Sequence, residues 1–125
     1  MLRILIAIGL GGCAGSILRW LTSRWLSAWV VASFPLGTFV VNILGCFCLG
    51  LLYGWSERGH LLSEEWRLFL TVGLCGGFTT FSTFAGENVL MLRDGAFLYA
   101  ALYIGLSVVA GLLAVYGGMY LTKLS

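Results

Sequence analysis

The chain has 125 residues, of which 60% are apolar and only 10% charged, with a net charge of +2 and a mean hydropathy of +1.00. Soluble domains carry roughly 25% charged residues, so this is the composition of an integral membrane protein. Four spans of about 20 residues use up the length and exclude a separate soluble domain, and no basic run invites a nucleic acid.

The charged residues leave four uncharged gaps, Arg3 to Arg19, Arg24 to Glu57, Arg67 to Glu87 and Asp94 to Lys123. Each gap predicts one spanning helix. The expected fold is therefore all-α, a single membrane domain over residues 1–125 with helices near 2–21, 36–55, 65–92 and 96–121.

Arg3, the apolar run after it and Leu10-Gly11-Gly12-Cys13 resemble a lipoprotein signal. The chain continues into Ser16-Ile17-Leu18-Arg19-Trp20-Leu21 instead of a polar tether, so the segment is expected to be retained as the first helix. Arg19 at its end is expected to snorkel to the interface, with a vestibule or structural role as the alternative. The second helix carries one strong hydrogen-bonding side chain near its middle, Asn42, whose carboxamide NH2 can donate to an anion.

Ser56 to Ser63 is a short connection holding Glu57, Arg58, Gly59 and His60, and no specific role is expected for the histidine. Ser63 followed by Glu64 and Glu65 reads as a helix N-cap with acids at the positive end of the helix.

The third span contains Gly76-Gly77-Phe78-Thr79-Thr80-Phe81-Ser82-Thr83-Phe84. Hydrocarbon satisfies neither an interrupted backbone nor clustered hydroxyls, so these groups must face protein, water or an ion. Spacing of i and i+3 sorts the run into an aromatic stripe, Phe78, Phe81 and Phe84, and two hydroxyl stripes. Phenyl rings are electropositive at the edge, so rings presented edge-on can line an anion site. The glycine pair predicts a helix broken near its middle, which would free carbonyls at the negative end of a half-helix for a small cation. Glu87 lies three residues after Phe84, as a vestibule group or a buried partner for another polar residue.

Arg93-Asp94-Gly95 predicts a tight turn into the fourth helix. Cys13, Cys46, Cys48 and Cys75 all fall inside predicted spans without CxxC spacing and are expected to be packing residues. Trp20, Trp25, Trp29, Trp55 and Trp66 fall near predicted helix ends, as an interfacial belt requires.

Gly11 to Gly15, Gly50 to Gly54 and Gly73 to Gly77 have small-xxx-small spacing, which serves packing within or between chains. With four spans, Arg3, Arg58, Arg67 and Lys123 collect on one side and Arg19, Arg24 and Arg93 on the other. So even a division allows insertion in both orientations and an antiparallel dimer, with a plain weak topology signal as the alternative.

At these residues the chain closely resembles the Fluc, or CrcB, family of small bacterial fluoride channels. The likeness runs through Gly11-Gly12-Cys13-Ala14-Gly15 with Arg19-Trp20, Pro35-Leu36-Gly37-Thr38 with Asn42, and Gly73 through Phe84 with Glu87. It implies a multi-pass protein of the bacterial inner membrane that forms an antiparallel dual-topology dimer and passes fluoride passively outward through two pores. It also implies a structural sodium ion held by the backbone carbonyls of Gly76 and Thr79 from both subunits. The pore rings map to Phe81 and Phe84, the pore asparagine to Asn42, and the hydroxyl of the third helix to Thr83. Family members carry a polar track on the fourth helix, where this chain has Ser107 followed by Gly111 and Val115 on the next turns. That departure leaves a homodimer as the expectation and a pair of unlike subunits as the alternative.

Two rival functions share the four-span form. A proton-coupled small multidrug exporter needs a carboxylate in the membrane, for which Glu87 is the only candidate. A purely structural subunit leaves the clustered hydroxyls without a purpose. An enzyme is not expected, because no nucleophile and base or metal-ligand set is present.

Overall fold

The computed structural model describes residues 1–27, 35–57 and 63–124; Trp29, Arg58, Gly59 and His60 lie outside them. The described residues form helices α1 (Leu2–Ser27), α2 (Leu36–Glu57), α3 (Glu64–Leu68), a π-helical stretch (Phe69–Cys75), α4 (Gly76–Phe78), α5 (Phe81–Arg93) and α6 (Phe97–Leu124). α3 through α5 follow one another along the third span. Four stretches are long and apolar enough to cross a membrane. The largest discrepancy is in α1, which runs to Ser27, so Arg19 and Trp20 sit within the helix and not at its end.

The helix boundaries have local causes. The Ser63 side chain accepts the Trp66 N–H at 3.3 Å, and Glu64 and Glu65 occupy the first turn of α3. α5 ends at Gly95, whose φ of 82° a side chain would resist. The Ala96 N–H reaches the Met91 carbonyl at 2.8 Å and the Gly95 N–H the Leu92 carbonyl at 3.1 Å, the paired bonds of a Schellman motif. Ala96 packs on Met91 beneath this turn, as that motif favours.

α2 packs most extensively against α6, and α1 against the third span. Glycine makes both contacts possible, because backbone meets backbone: a Cβ at Gly15 would strike the Leu74 carbonyl, and one at Gly50 the Val115 carbonyl. Gly54 faces Thr122, Gly73 faces Gly11 and Gly77 faces Gly12. All three small-xxx-small pairs are therefore used within the chain. A small cluster of Met91, Ala100 and the fully buried Tyr103, flanked by Phe39 and Phe84, joins α2, α5 and α6.

Trp20, Trp25, Trp55 and Trp66 are all exposed on the helix surfaces. Arg24 lies 5.2 Å from the centre of the Trp20 ring, a pairing suited to the end of a span where one face meets lipid and the other water.

Gly50→Ala drives a methyl into the α6 backbone and is expected to cost about 1–3 kcal/mol. Gly9→Ala, with open space around it, is expected to be neutral or to gain up to about 1 kcal/mol of helix propensity. Equilibrium unfolding in mixed micelles measures both.

Candidate functional site

The backbone of the third span departs from helix at Thr79 (φ −86°, ψ 158°) and Thr80 (φ −150°, ψ 123°). Gly76-Gly77 was the expected place for an interruption, yet both glycines lie in α4, with Gly76 at φ −63° and ψ −37°. The missing side chain of Gly77 instead lets Gly12 of α1 approach. The interruption falls where hydroxyl side chains replace the missing helix bonds.

Each replacement can be traced. The Thr80 N–H, which a continuous helix would send to the Gly76 carbonyl, donates to Asn42 Oδ1 at 2.7 Å. Asn42 Nδ2 in turn donates to the Thr80 carbonyl at 3.0 Å, so one carboxamide from α2 binds both faces of one peptide residue. The Thr83 N–H, due to the Thr79 carbonyl, donates to Thr80 Oγ1 at 3.3 Å and caps α5. Arg19 turns inward from α1 and donates from Nε to the Gly77 carbonyl at 3.1 Å, so it does not snorkel. Thr79 Oγ1 bonds back to the Cys75 carbonyl at 3.0 Å.

The result is a division of carbonyls. Those of Gly77 and Thr80 receive side-chain donors, whereas those of Gly76 and Thr79 have no hydrogen-bond partner among the described residues. Unpaired hard oxygen at the C-terminal end of a half-helix fits a small hard cation. Among the described residues no cluster of His, Cys, Asp or Glu could hold a metal ion.

Beside the interruption lies a cavity of about 430 Å³ lined by Asn42, Phe81, Phe84 and Ser107, with Gly76, Thr79 and Thr80 on the same wall. Asn42 keeps a second Nδ2 proton beyond the one given to Thr80, and the buried Ser107 hydroxyl has no partner among the described residues. The Phe81 and Phe84 rings are 5.8 Å apart and tilted by 46°, and Phe81 is 77% exposed. The expected stripe of three phenylalanines is not formed: the extended residues separate Phe78, which packs toward Gly45 and stays out of the cavity lining. Thr83 is exposed and does not line the cavity either.

Glu87 is bound on both oxygens, by Thr38 Oγ1 at 3.0 Å and by the Tyr103 hydroxyl at 2.9 Å. Tyr103 also meets the Phe84 ring edge-on at 4.8 Å. Thr38 drew attention only as the end of Pro35-Leu36-Gly37-Thr38 and Tyr103 not at all, although each is four residues before a candidate site residue, Asn42 and Ser107. One turn of helix places both pairs on common faces. The polar line on α6 thus runs back from Ser107 to Tyr103. Forward of it, Gly111 lies against Cys46 and Val115 against Gly50, positions given over to packing on α2. Cys46 and Cys75 line the cavity as free thiols; Cys13 and Cys48 are exposed.

Residues 6–119 match the family described as CrcB-like protein, Camphor Resistance (CrcB). The chain is 43% identical over 122 residues to the fluoride-specific ion channel FluC of Flavobacterium psychrophilum, covering 98% of each. It is 44% identical over 119 residues to that of Chlorobium phaeobacteroides, covering 95% of this chain and 92% of the relative. With the FluC of Oceanobacillus iheyensis it shares 43% over 120 residues, 96% of this chain and 92% of the other.

Asn42→Ala strands the Thr80 N–H and carbonyl at membrane depth and is expected to destabilise the protein by about 1–3 kcal/mol for each group left unpaired. Thermal unfolding in detergent, with Thr83→Ala as a comparison expected to change little, measures the loss.

Proposed function

The chain belongs to the CrcB family, whose relatives named above are fluoride-specific ion channels, and from that premise we propose that it is a passive fluoride channel of the bacterial inner membrane and not an enzyme. The observation that carries this reading is the cavity lined by Asn42, with its second Nδ2 proton, by Ser107 and by the rings of Phe81 and Phe84. Neutral donors and ring edges can replace the water around a small anion without burying a fixed positive charge that would trap it. Glu87, with both oxygens bonded to Thr38 and Tyr103, forms a fixed part of the wall behind Phe84.

Gly76, Phe81, Ser82 and Thr83 of the third span are all exposed. A carbonyl and two hydroxyls cannot be left to hydrocarbon there, so a second protein surface must cover them. The reading assigns that role to a second copy in the opposite orientation, an antiparallel dimer with one pathway on each side and net export of fluoride from the cytoplasm. In such a dimer the unpartnered carbonyls of Gly76 and Thr79 would hold a sodium ion shared by the two chains. Bound there, the ion supplies positive charge and joins the subunits.

The exporter alternative needs a carboxylate that exchanges protons for a cationic drug, and Glu87 is already committed to two hydroxyls inside the chain.

Protein reconstituted into liposomes is expected to release fluoride passively, read with a fluoride electrode, while chloride stays behind. No fluoride release would overturn the proposal. Phe81→Ile or Phe84→Ile is expected to cut the flux about tenfold or more, equivalent to about 1.4 kcal/mol of added barrier, with the oligomer intact by size-exclusion chromatography. Unchanged flux in both variants would reduce the rings to packing residues.

A further inference from the structure

Among the described residues, Arg19 is the one cationic side chain that bonds the third span beside the interruption, and it does so at the carbonyl lying between the two that have no partner there. Its Nε donates to Gly77, flanked in sequence by Gly76 and followed two residues later by Thr79. The side chain is half-buried, reached across 58 residues of sequence. α1 is held in this register by close backbone contact at Gly12 against Gly77 and at Gly15 against Leu74, so the guanidinium cannot be carried away without parting the two helices.

A guanidinium at the C-terminal end of a half-helix neutralises the same negative pole that would attract a small ion. It also takes up the Gly77 carbonyl, so that oxygen is not left free between the other two in sequence. Both effects act in one direction, since positive charge close by disfavours a second cation and a committed carbonyl cannot coordinate it. We propose that Arg19 is a built-in competitor that sets the cation affinity of the Gly76 and Thr79 carbonyl site, holding it below what the bare interruption would give. The proposal rests on the reading of those carbonyls as a sodium site. Arg19 is thereby a positioning and tuning residue for the ion, distinct from the groups that meet fluoride.

The test is thermal unfolding of the purified protein in detergent as sodium chloride replaces N-methylglucamine chloride at constant ionic strength. Wild-type protein gains stability with sodium along a binding curve. Arg19→Gln is expected to shift the half-maximal sodium concentration down about tenfold, within the usual range for two coupled sites. Arg19→Lys, which keeps the charge, is expected to stay within about twofold of wild type on the same scale. An unchanged or weakened sodium response in Arg19→Gln overturns the competitor role. Should that variant not accumulate, Arg19→Met, which also removes both the charge and the donor, decides in its place: a tightening of about tenfold supports the proposal and an unchanged curve overturns it. Absence of sodium stabilisation in the wild-type protein overturns the sodium reading itself, a result separable from any difference between variants.

Discussion

Backbone satisfaction at membrane depth is the constraint from which the rest of the structure follows. Two extended residues, Thr79 and Thr80, take the third span out of helical geometry, where every unmet N–H or carbonyl costs several kcal/mol. One carboxamide, one hydroxyl and one guanidinium meet that demand, from Asn42, Thr80 and Arg19. They come from three different spans, and this ties α1, α2 and the third span into a single arrangement around the interruption. What they leave unmet is as specific as what they satisfy.

The packing serves the same end. Glycines on α1 and the third span let the backbones close up until Arg19 reaches Gly77, and glycines on α2 and α6 bring Asn42 and Ser107 to one cavity. Interior volume is scarce in a four-span chain, and the small residues concentrate it in one place. The polar side chains then sit at helix positions one turn apart, Thr38 with Asn42 and Tyr103 with Ser107, so two helices present continuous polar lines toward Glu87 and Phe84.

Much of this was legible in the sequence because membrane chemistry leaves few alternatives. Uncharged gaps located four spans, Ser63 and Gly95 announced their cap and turn, and the hydroxyl-rich run marked the site. The location of the interruption was not legible, since two adjacent glycines weaken a helix by propensity, yet both stay helical, with Gly77 packed on Gly12 of α1. The aromatic stripe failed for the same reason: spacing of i and i+3 holds only within one unbroken helix, so Phe78 parted from Phe81 and Phe84. The role of Thr38 and of Tyr103 was not legible because a threonine or tyrosine among apolar residues is ordinary, and only the position of Glu87 between them makes either one informative.

The order in which the chain is made has a bearing on how the least apolar span enters the bilayer. Arg19, Thr38 and Asn42 all precede the third span in sequence, and each bonds a group of that span: the Gly77 carbonyl, the Glu87 carboxylate and the Thr80 peptide. When the ribosome delivers the third span, which has the lowest hydropathy of the four, its partners are already synthesised. Tyr103 arrives last, 16 residues after the Glu87 it bonds. The polar groups least welcome in lipid are therefore born into waiting company, and vectorial synthesis spares the chain a stage in which a carboxylate must cross hydrocarbon alone.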